Sequence, residues 1–129
     1  MNGPSTLRIL WFAYVSTLLV FGGIAFFIPR EAGDGVPYFL HVVPAVGCAV
    51  ASFVVPGTLV RQAKAGQAPA AVAQTAFILK MALIEAVALF GFVDAWLTGD
   101  GMRYLPFGAV AFFLQVLAFP ADTDSPRSE

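Results

Sequence analysis

The chain has 129 residues, of which 59% are hydrophobic and 12% are charged, and its formal net charge is −1. Soluble domains are about 45–50% apolar and about 25% charged, so a water-soluble fold of this length would expose large apolar surfaces. The slight negative charge provides no basic surface for nucleic acid, and the single cysteine excludes a disulfide framework and a cysteine-based zinc site. We therefore expect an integral membrane protein, with the lipid bilayer as its surroundings.

Four apolar stretches follow one another along the chain and predict an all-α integral membrane fold, a small bundle of about four transmembrane helices. The predicted spans are residues 7–28, 38–60, 72–98 and 104–119. Each is close to the about 20 residues that a helix needs to cross the hydrocarbon core, and the fourth is the shortest. Sustained apolar and polar alternation is missing, and an open sheet would leave backbone groups unpaired in lipid. One four-helix domain is therefore expected over residues 1–121, followed by a polar tail over residues 122–129.

The basic residues predict the orientation of these spans. The larger group lies on one side of a four-span arrangement: Arg8, Arg61, Lys64 and Arg127. The smaller group, on the other side, consists of Arg30 and Arg103. Loops rich in Lys and Arg stay in the cytoplasm, so both termini are expected there. The expected location is a bacterial inner (plasma) membrane.

The third span contains a carboxyl group, Glu85, near its centre. An ionised carboxylate at that depth costs several kcal/mol, so the neutral form is expected unless a partner compensates the charge. Lys80 is turned roughly 140° away on the same helix and is a poor partner. Partners must then come from other helices. The polar residues at a similar depth that could hydrogen-bond Glu85 are Ser16, Thr17, Cys48 and Ser52.

The remaining polar residues of the spans receive structural interpretations. Lys80 and Asp94 are expected to reach opposite membrane interfaces, and His41 is expected to be an interfacial side chain rather than a metal ligand. Gln115 is expected to hydrogen-bond another helix. No nucleophile, base and orienting group occur together, so no catalytic residue is predicted. We expect neither an enzyme nor a metal or cofactor site.

A run of alternating small residues in the second span predicts close helix packing. The run consists of Ala45, Gly47, Ala49 and Ala51. Small side chains let another backbone approach closely, which is how membrane helices associate. The run therefore favours tight pairing with another helix, in a homo-oligomer or with other subunits of a membrane complex.

Three features of the middle of the chain resemble the helical hairpin of subunit c, the proteolipid of F-type ATP synthases. They are the small-residue run of residues 45–51, Arg61-Gln62, and residues 82–91 around Glu85. The resemblance covers about residues 45–97 and does not extend to the first and fourth spans. It implies that Glu85 stands where the family carries its ion. The sodium-binding members have hydroxyl groups just after that carboxylate, whereas Ala86, Val87 and Ala88 follow here, so a proton is the implied ion.

Two functions remain open from the sequence. The first is proton handling, in which Glu85 alternates between neutral and charged forms at an interface between subunits. The second is a non-catalytic protein, either self-associating or an accessory subunit of a larger membrane complex, in which a protonated Glu85 only joins helices. A Glu85→Gln substitution separates them, because it keeps the shape and the hydrogen-bonding capacity while removing the titratable proton.

Overall fold

The computed structural model describes residues 4–27, 31–34, 36–63 and 65–120, and this part of the chain is helical without any strand. The helices are α1 (Pro4–Phe27), α2 (Phe39–Gln62), α3 (Pro69–Thr98) and α4 (Tyr104–Leu117), with a short 3₁₀ helix, Gly101–Arg103, leading into α4. The predicted all-α class is confirmed over these residues. The predictions for Ile28, Arg30, Lys64 and residues 122–129 lie outside the described residues.

Three of the four helices, α1, α2 and α3, are long and apolar enough to cross a membrane. The fourth, α4, is apolar but shorter. Its 14 residues extend about 21 Å at 1.5 Å per residue, which is less than a hydrocarbon core of about 30 Å. Large apolar side chains point outwards on these helices, and Val43, Val50 and Val54 of α2 are each more than half exposed. Such surfaces indicate an integral membrane protein.

The central element of the bundle is α3, which packs against each of the other three helices. Its buried face contains Met81, Ile84 and Ala88, all fully inaccessible. The first helix also packs against α4, and α2 packs mainly against α3. Polar groups on α3 are therefore presented to different neighbours according to the side of the helix on which they lie.

A tight crossing and a tight turn fix the position of α4 against α3. A β-carbon at Gly91 of α3 would overlap the Phe107 side chain of α4, so the two helices approach more closely than any larger residue would permit. The turn begins with Gly99, whose φ of 70° ends α3 in the left-handed conformation that favours glycine. The Asp100 side chain then accepts a hydrogen bond from the Met102 amide and starts the 3₁₀ helix. This connection returns the chain beside the last turns of α3.

The small-residue run of α2 divides between the inside and the outside of the bundle. Ala45 lies in the core, and Ala49 packs against that core. Ala51 is half-buried. Gly47 faces outwards, and nothing lies within 4 Å of the position that its β-carbon would take. Part of the run therefore packs within the chain, while Gly47 leaves an open place on the outer surface.

Candidate functional site

Glu85 lies on the side of α3 that faces α1. Phe92, seven residues further along α3 and so on the same face, stacks on Phe21 of α1 with ring centroids 5.2 Å apart. The Thr17 side chain of α1 is within hydrogen-bonding reach of the Glu85 carboxyl group. Tyr104, at the start of α4, is close enough for its charge to interact with that of Glu85. Glu85 is half-buried, and the side chains identified near its carboxyl group belong to α1 and α4 of its own chain.

The hydroxyl groups around Glu85 already donate their protons elsewhere. The Thr17 hydroxyl donates to the Ala13 carbonyl oxygen at 3.1 Å, and the Tyr104 hydroxyl donates to the Leu18 carbonyl oxygen at 2.9 Å. The Thr17 hydroxyl is also within reach of the Glu85 carboxyl group and can donate to only one of the two acceptors at a time. Oε1 of Glu85 is buried and has no hydrogen-bond partner among the described residues. Among the described residues, the neighbours identified around Glu85 are therefore hydroxyl groups and not cations.

The other three predicted partners are not brought to Glu85. Ser16 is exposed, and Ser52 is buried, but each hydroxyl donates to a backbone carbonyl of its own helix, at 2.8 and 2.7 Å. Cys48 is half-buried and packs against the core. Within the described part of the chain, none of the three hydrogen-bonds Glu85. Of the four candidates, Thr17 is the one whose side chain lies within hydrogen-bonding reach of Glu85.

A second polar cluster, which the sequence reasoning missed, lies at the far end of α3. Asp94 is completely buried, and its Oδ1 lies 3.0 Å from Nδ1 of His41 on α2. Nη1 of Arg103, in the 3₁₀ helix, donates to both Asp94 oxygens at 3.5 and 3.4 Å. The guanidinium group also lies 5.7 Å above the Tyr38 ring. The charge of Asp94 is therefore compensated by a cation and a hydrogen bond.

The interfacial interpretations of Asp94 and His41 gave neither residue a partner on another helix, whereas the structure pairs the two inside the bundle. Asp94 is 0% exposed and His41 is 9% exposed. Both residues lie near the same end of the bundle as Arg103, since His41 opens the second span, Asp94 closes the third and Arg103 precedes the fourth. The sequence alone shows that these three residues lie at the same end of their spans, and this shared position predicts that they cluster. Between α2 and α3, however, the pairing also depends on how each helix is rotated.

The two carboxyl groups of α3 lie on opposite sides of the helix. Nine residues at about 100° each rotate Asp94 by half a turn relative to Glu85, and the axial separation is about 13.5 Å. Lys80 lies towards α2, with Nζ 5.6 Å from the centre of the Phe53 ring. The structure therefore places one compensated carboxylate towards α2 and one uncompensated carboxyl group towards α1.

Gln115 of α4 is fully buried, but its side chain does not hydrogen-bond another helix as predicted. Neither amide atom has a partner among the described residues. Instead the backbone carbonyl of Gln115 accepts a hydrogen bond from Nε1 of Trp11, on α1, at 2.6 Å. At this point α4 is thus joined to α1 through the Gln115 backbone carbonyl, and the Gln115 amide group has no hydrogen-bond partner among the described residues.

No group of three or more His, Cys, Asp or Glu side chains that could hold a metal ion occurs among the described residues. The polar interior therefore consists of the uncompensated group around Glu85 and the ion-paired group around Asp94. The chain matches no protein-family model, and it has no match among curated proteins or solved structures.

Proposed function

We propose that this chain is a small multi-pass membrane protein that binds and releases a proton at Glu85. The observation that carries the proposal is the contrast between the two carboxyl groups of α3. Asp94 is held by His41 and Arg103, whereas Glu85 has no cation and one oxygen without a partner in the described chain. A carboxyl group in the middle of a membrane helix is a candidate for a functional role, because its charged form is costly there.

The resemblance to subunit c supports a proton as the ion. By this resemblance, Glu85 stands at the ion-carrying position. The residues that follow it, Ala86, Val87 and Ala88, have no hydroxyl group that could bind sodium. The fold bears on where the proton binds. Glu85 faces α1 and α4 of its own chain, so a proton is bound between helices of one molecule rather than only at an interface between subunits.

The proposed setting is a bacterial inner membrane with all four helices in the bilayer and both termini in the cytoplasm. Arg8 lies near the start of α1 and Arg61 lies in the last turn of α2, so consecutive spans bring the two to the same end of the bundle. Arg103 belongs to the opposite end, where it is paired with Asp94. The positive-inside rule then places the end with Arg8 and Arg61 in the cytoplasm.

Glu85→Gln tests the proposed function directly. In vesicles reconstituted with the purified protein and driven by a potassium diffusion potential, the unmodified chain should carry protons, as reported by an internal pH-sensitive dye. The variant should fall to the rate of protein-free vesicles, because an amide keeps the contact with Thr17 but binds no titratable proton. Glu31→Gln, which changes an exposed carboxyl group outside the helices, is the matched control and should retain full flux.

Equal flux through the unmodified chain and the Glu85→Gln variant would overturn the proposal, as would no flux through either. Size-exclusion chromatography in detergent shows whether the variant remains folded and monodisperse. Reaction with a hydrophobic carbodiimide provides an independent readout, because it modifies protonated carboxyl groups in apolar sites. Mass spectrometry should find the label on Glu85 and none on the ion-paired Asp94.

A second function, self-association without transport, is favoured by the open place at Gly47. This glycine lies on an exposed apolar face of α2 beside Val43, Val46 and Val50, and nothing within the chain occupies the space above it. A helix of a second copy could approach closely at this point, as small residues permit in membranes. Such a protein would use Glu85 only for contacts between its own helices, alone or as an accessory subunit of a larger complex.

Gly47→Leu should therefore lower the mass of the detergent-solubilised complex, because a leucine side chain prevents close approach of a partner helix. Native mass spectrometry of the unmodified and variant proteins measures this change. The control is Gly23→Leu, another open glycine position, on α1 rather than α2. A complex whose mass is the same with and without Gly47→Leu contradicts association through this face.

A further inference from the structure

On α3 and α4, three buried side-chain atoms have no hydrogen-bond partner among the described residues. They are Oε1 of Glu85 on α3 and both Oε1 and Nε2 of Gln115 on α4. Buried polar atoms in native proteins are almost always paired, either with protein groups or with ordered water. The Gln115 side chain is 0% exposed, so lipid or bulk solvent does not satisfy it. A partner for these atoms must therefore lie inside the bundle.

Glu85 and Gln115 lie at nearly the same depth. The contact between Gly91 and Phe107 fixes the register of the antiparallel pair α3 and α4. Glu85 precedes Gly91 by six residues and Gln115 follows Phe107 by eight, which places them about 9 and about 12 Å from the contact along the helix axes. Their levels thus differ by only about 3 Å at 1.5 Å of rise per residue.

The two residues also belong to the same space between α1, α3 and α4. The face of α4 that contains Gln115 is buried at Tyr104, Gly108 and Ala111 as well. At its upper end the Tyr104 ring covers Gly108, and the Tyr104 hydroxyl bonds the backbone of α1. At its lower end the Gln115 carbonyl accepts from Trp11 of α1. This face is therefore turned towards both α1 and α3.

Glu85 reaches the same space from α3. Its carboxyl group is within hydrogen-bonding reach of Thr17 on α1 and within charge-interaction range of Tyr104 on α4. Between Tyr104 and Gln115, α4 contributes only the small side chains of Gly108 and Ala111 to this face.

We propose that Glu85 and Gln115 bind an ordered water molecule between them, and that Gln115 is a positioning residue for the proton on Glu85. A buried water needs two to four polar partners, and Glu85 Oε1 with the two amide atoms of Gln115 supplies them. The amide group both donates and accepts, so it orients the water whether the carboxyl group is neutral or charged. The role in proton binding rests on the proposed function, whereas the water site can be observed by itself.

A crystal structure of the unmodified protein in a lipid phase, at a resolution that shows ordered water, tests the site without any variant. It should show water density within hydrogen-bonding distance of Glu85 Oε1 and of the Gln115 amide. In Gln115→Leu, which keeps similar volume but has no polar atom, that density should be lost. The matched control is Ser52→Ala, which changes a buried polar group on α2 and should leave the density unchanged.

Infrared spectroscopy tests the positioning role. The C=O stretching band of protonated Glu85 is identified by its loss in Glu85→Gln. Gln115→Leu should shift this band to higher frequency, because a carboxyl group with fewer hydrogen bonds has a stiffer C=O bond, and Ser52→Ala should not shift it. A purely structural role for Gln115 would change stability but leave the band in place.

Two results would overturn the inference: no density between Glu85 and Gln115 in the unmodified protein, or a Glu85 band that is the same with and without Gln115→Leu. If either result is found and proton flux still depends on Glu85, the water site is rejected and the proposed function stands. If water density is found at the site but Glu85→Gln does not change proton flux, the water site stands and the proposed function is rejected.

Discussion

Replacing Asp94 with leucine should lower the free energy of unfolding by about 3 kcal/mol, because removing one partner of a buried ion pair leaves the others without compensation. The value lies at the low end of the usual range, since the Arg103 side chain is 38% exposed and can turn towards lipid headgroups or water once Asp94 is gone. His41 loses the hydrogen bond that joins α2 to α3 at this end of the bundle. We therefore expect the first turn of α2, which contains His41, to pack less tightly against α3 in this variant.

Reversible unfolding in mixed detergent micelles measures the effect, with Asp34→Asn as the control because Asp34 is an exposed loop carboxylate. A double-mutant cycle with His41→Leu should show that the two substitutions are not additive, since they break one contact. Replacing His41, Asp94 and Arg103 together by apolar residues should recover most of the loss, because no unpaired polar group then remains. A stability of Asp94→Leu equal to that of the unmodified chain would show that the cluster does not hold the helices together.

Gly91→Leu should lower the free energy of unfolding by about 2–3 kcal/mol, the upper part of the usual cost of overpacking. Even a β-carbon at this position overlaps Phe107, so the backbones of α3 and α4 must move apart. That movement also disturbs the register that brings Gln115 to the depth of Glu85. We therefore expect Gly91→Leu to reduce both stability and any proton flux.

Two further variants distinguish the overlap with Phe107 from a general destabilisation by leucine in a helix. Gly57→Leu, at an exposed helical position with nothing within 4 Å, should cost nothing and can stabilise α2 by up to about 1 kcal/mol through helix propensity. Gly91→Ala combined with Phe107→Gly should be less destabilising than the sum of the two single substitutions, because Phe107→Gly removes the β-carbon that the added methyl group meets first. Additive losses in that pair contradict packing at the Gly91 crossing.

The helices themselves could be predicted from local features of the sequence. Apolar stretches long enough to span a bilayer define α1, α2 and α3, Pro69 stands at the first position of α3, and Gly99 ends it. Composition alone excluded a water-soluble domain. These features depend on chain length, side-chain hydropathy and backbone conformation at single positions, all of which are written along the chain.

The partners of the polar groups could be predicted only in part. Thr17 was predicted together with Ser16, and which of these neighbours meets Glu85 depends on the rotation of α1 about its axis. A soluble amphipathic helix reveals that rotation through its polar face, but a membrane helix carries apolar side chains all round. The periodicity of the sequence therefore does not distinguish the face that packs from the face that meets lipid.

By itself, then, the sequence determined a helical membrane protein with a carboxyl group deep in its third long apolar segment. Only the tertiary structure decided that the charge of Asp94 is compensated by the Arg103 cation and a hydrogen bond to His41, while Oε1 of Glu85 has no hydrogen-bond partner among the described residues. The reason is physical: hydropathy records the cost of placing each residue in lipid, whereas compensation of a buried charge depends on contacts between helices far apart in the chain.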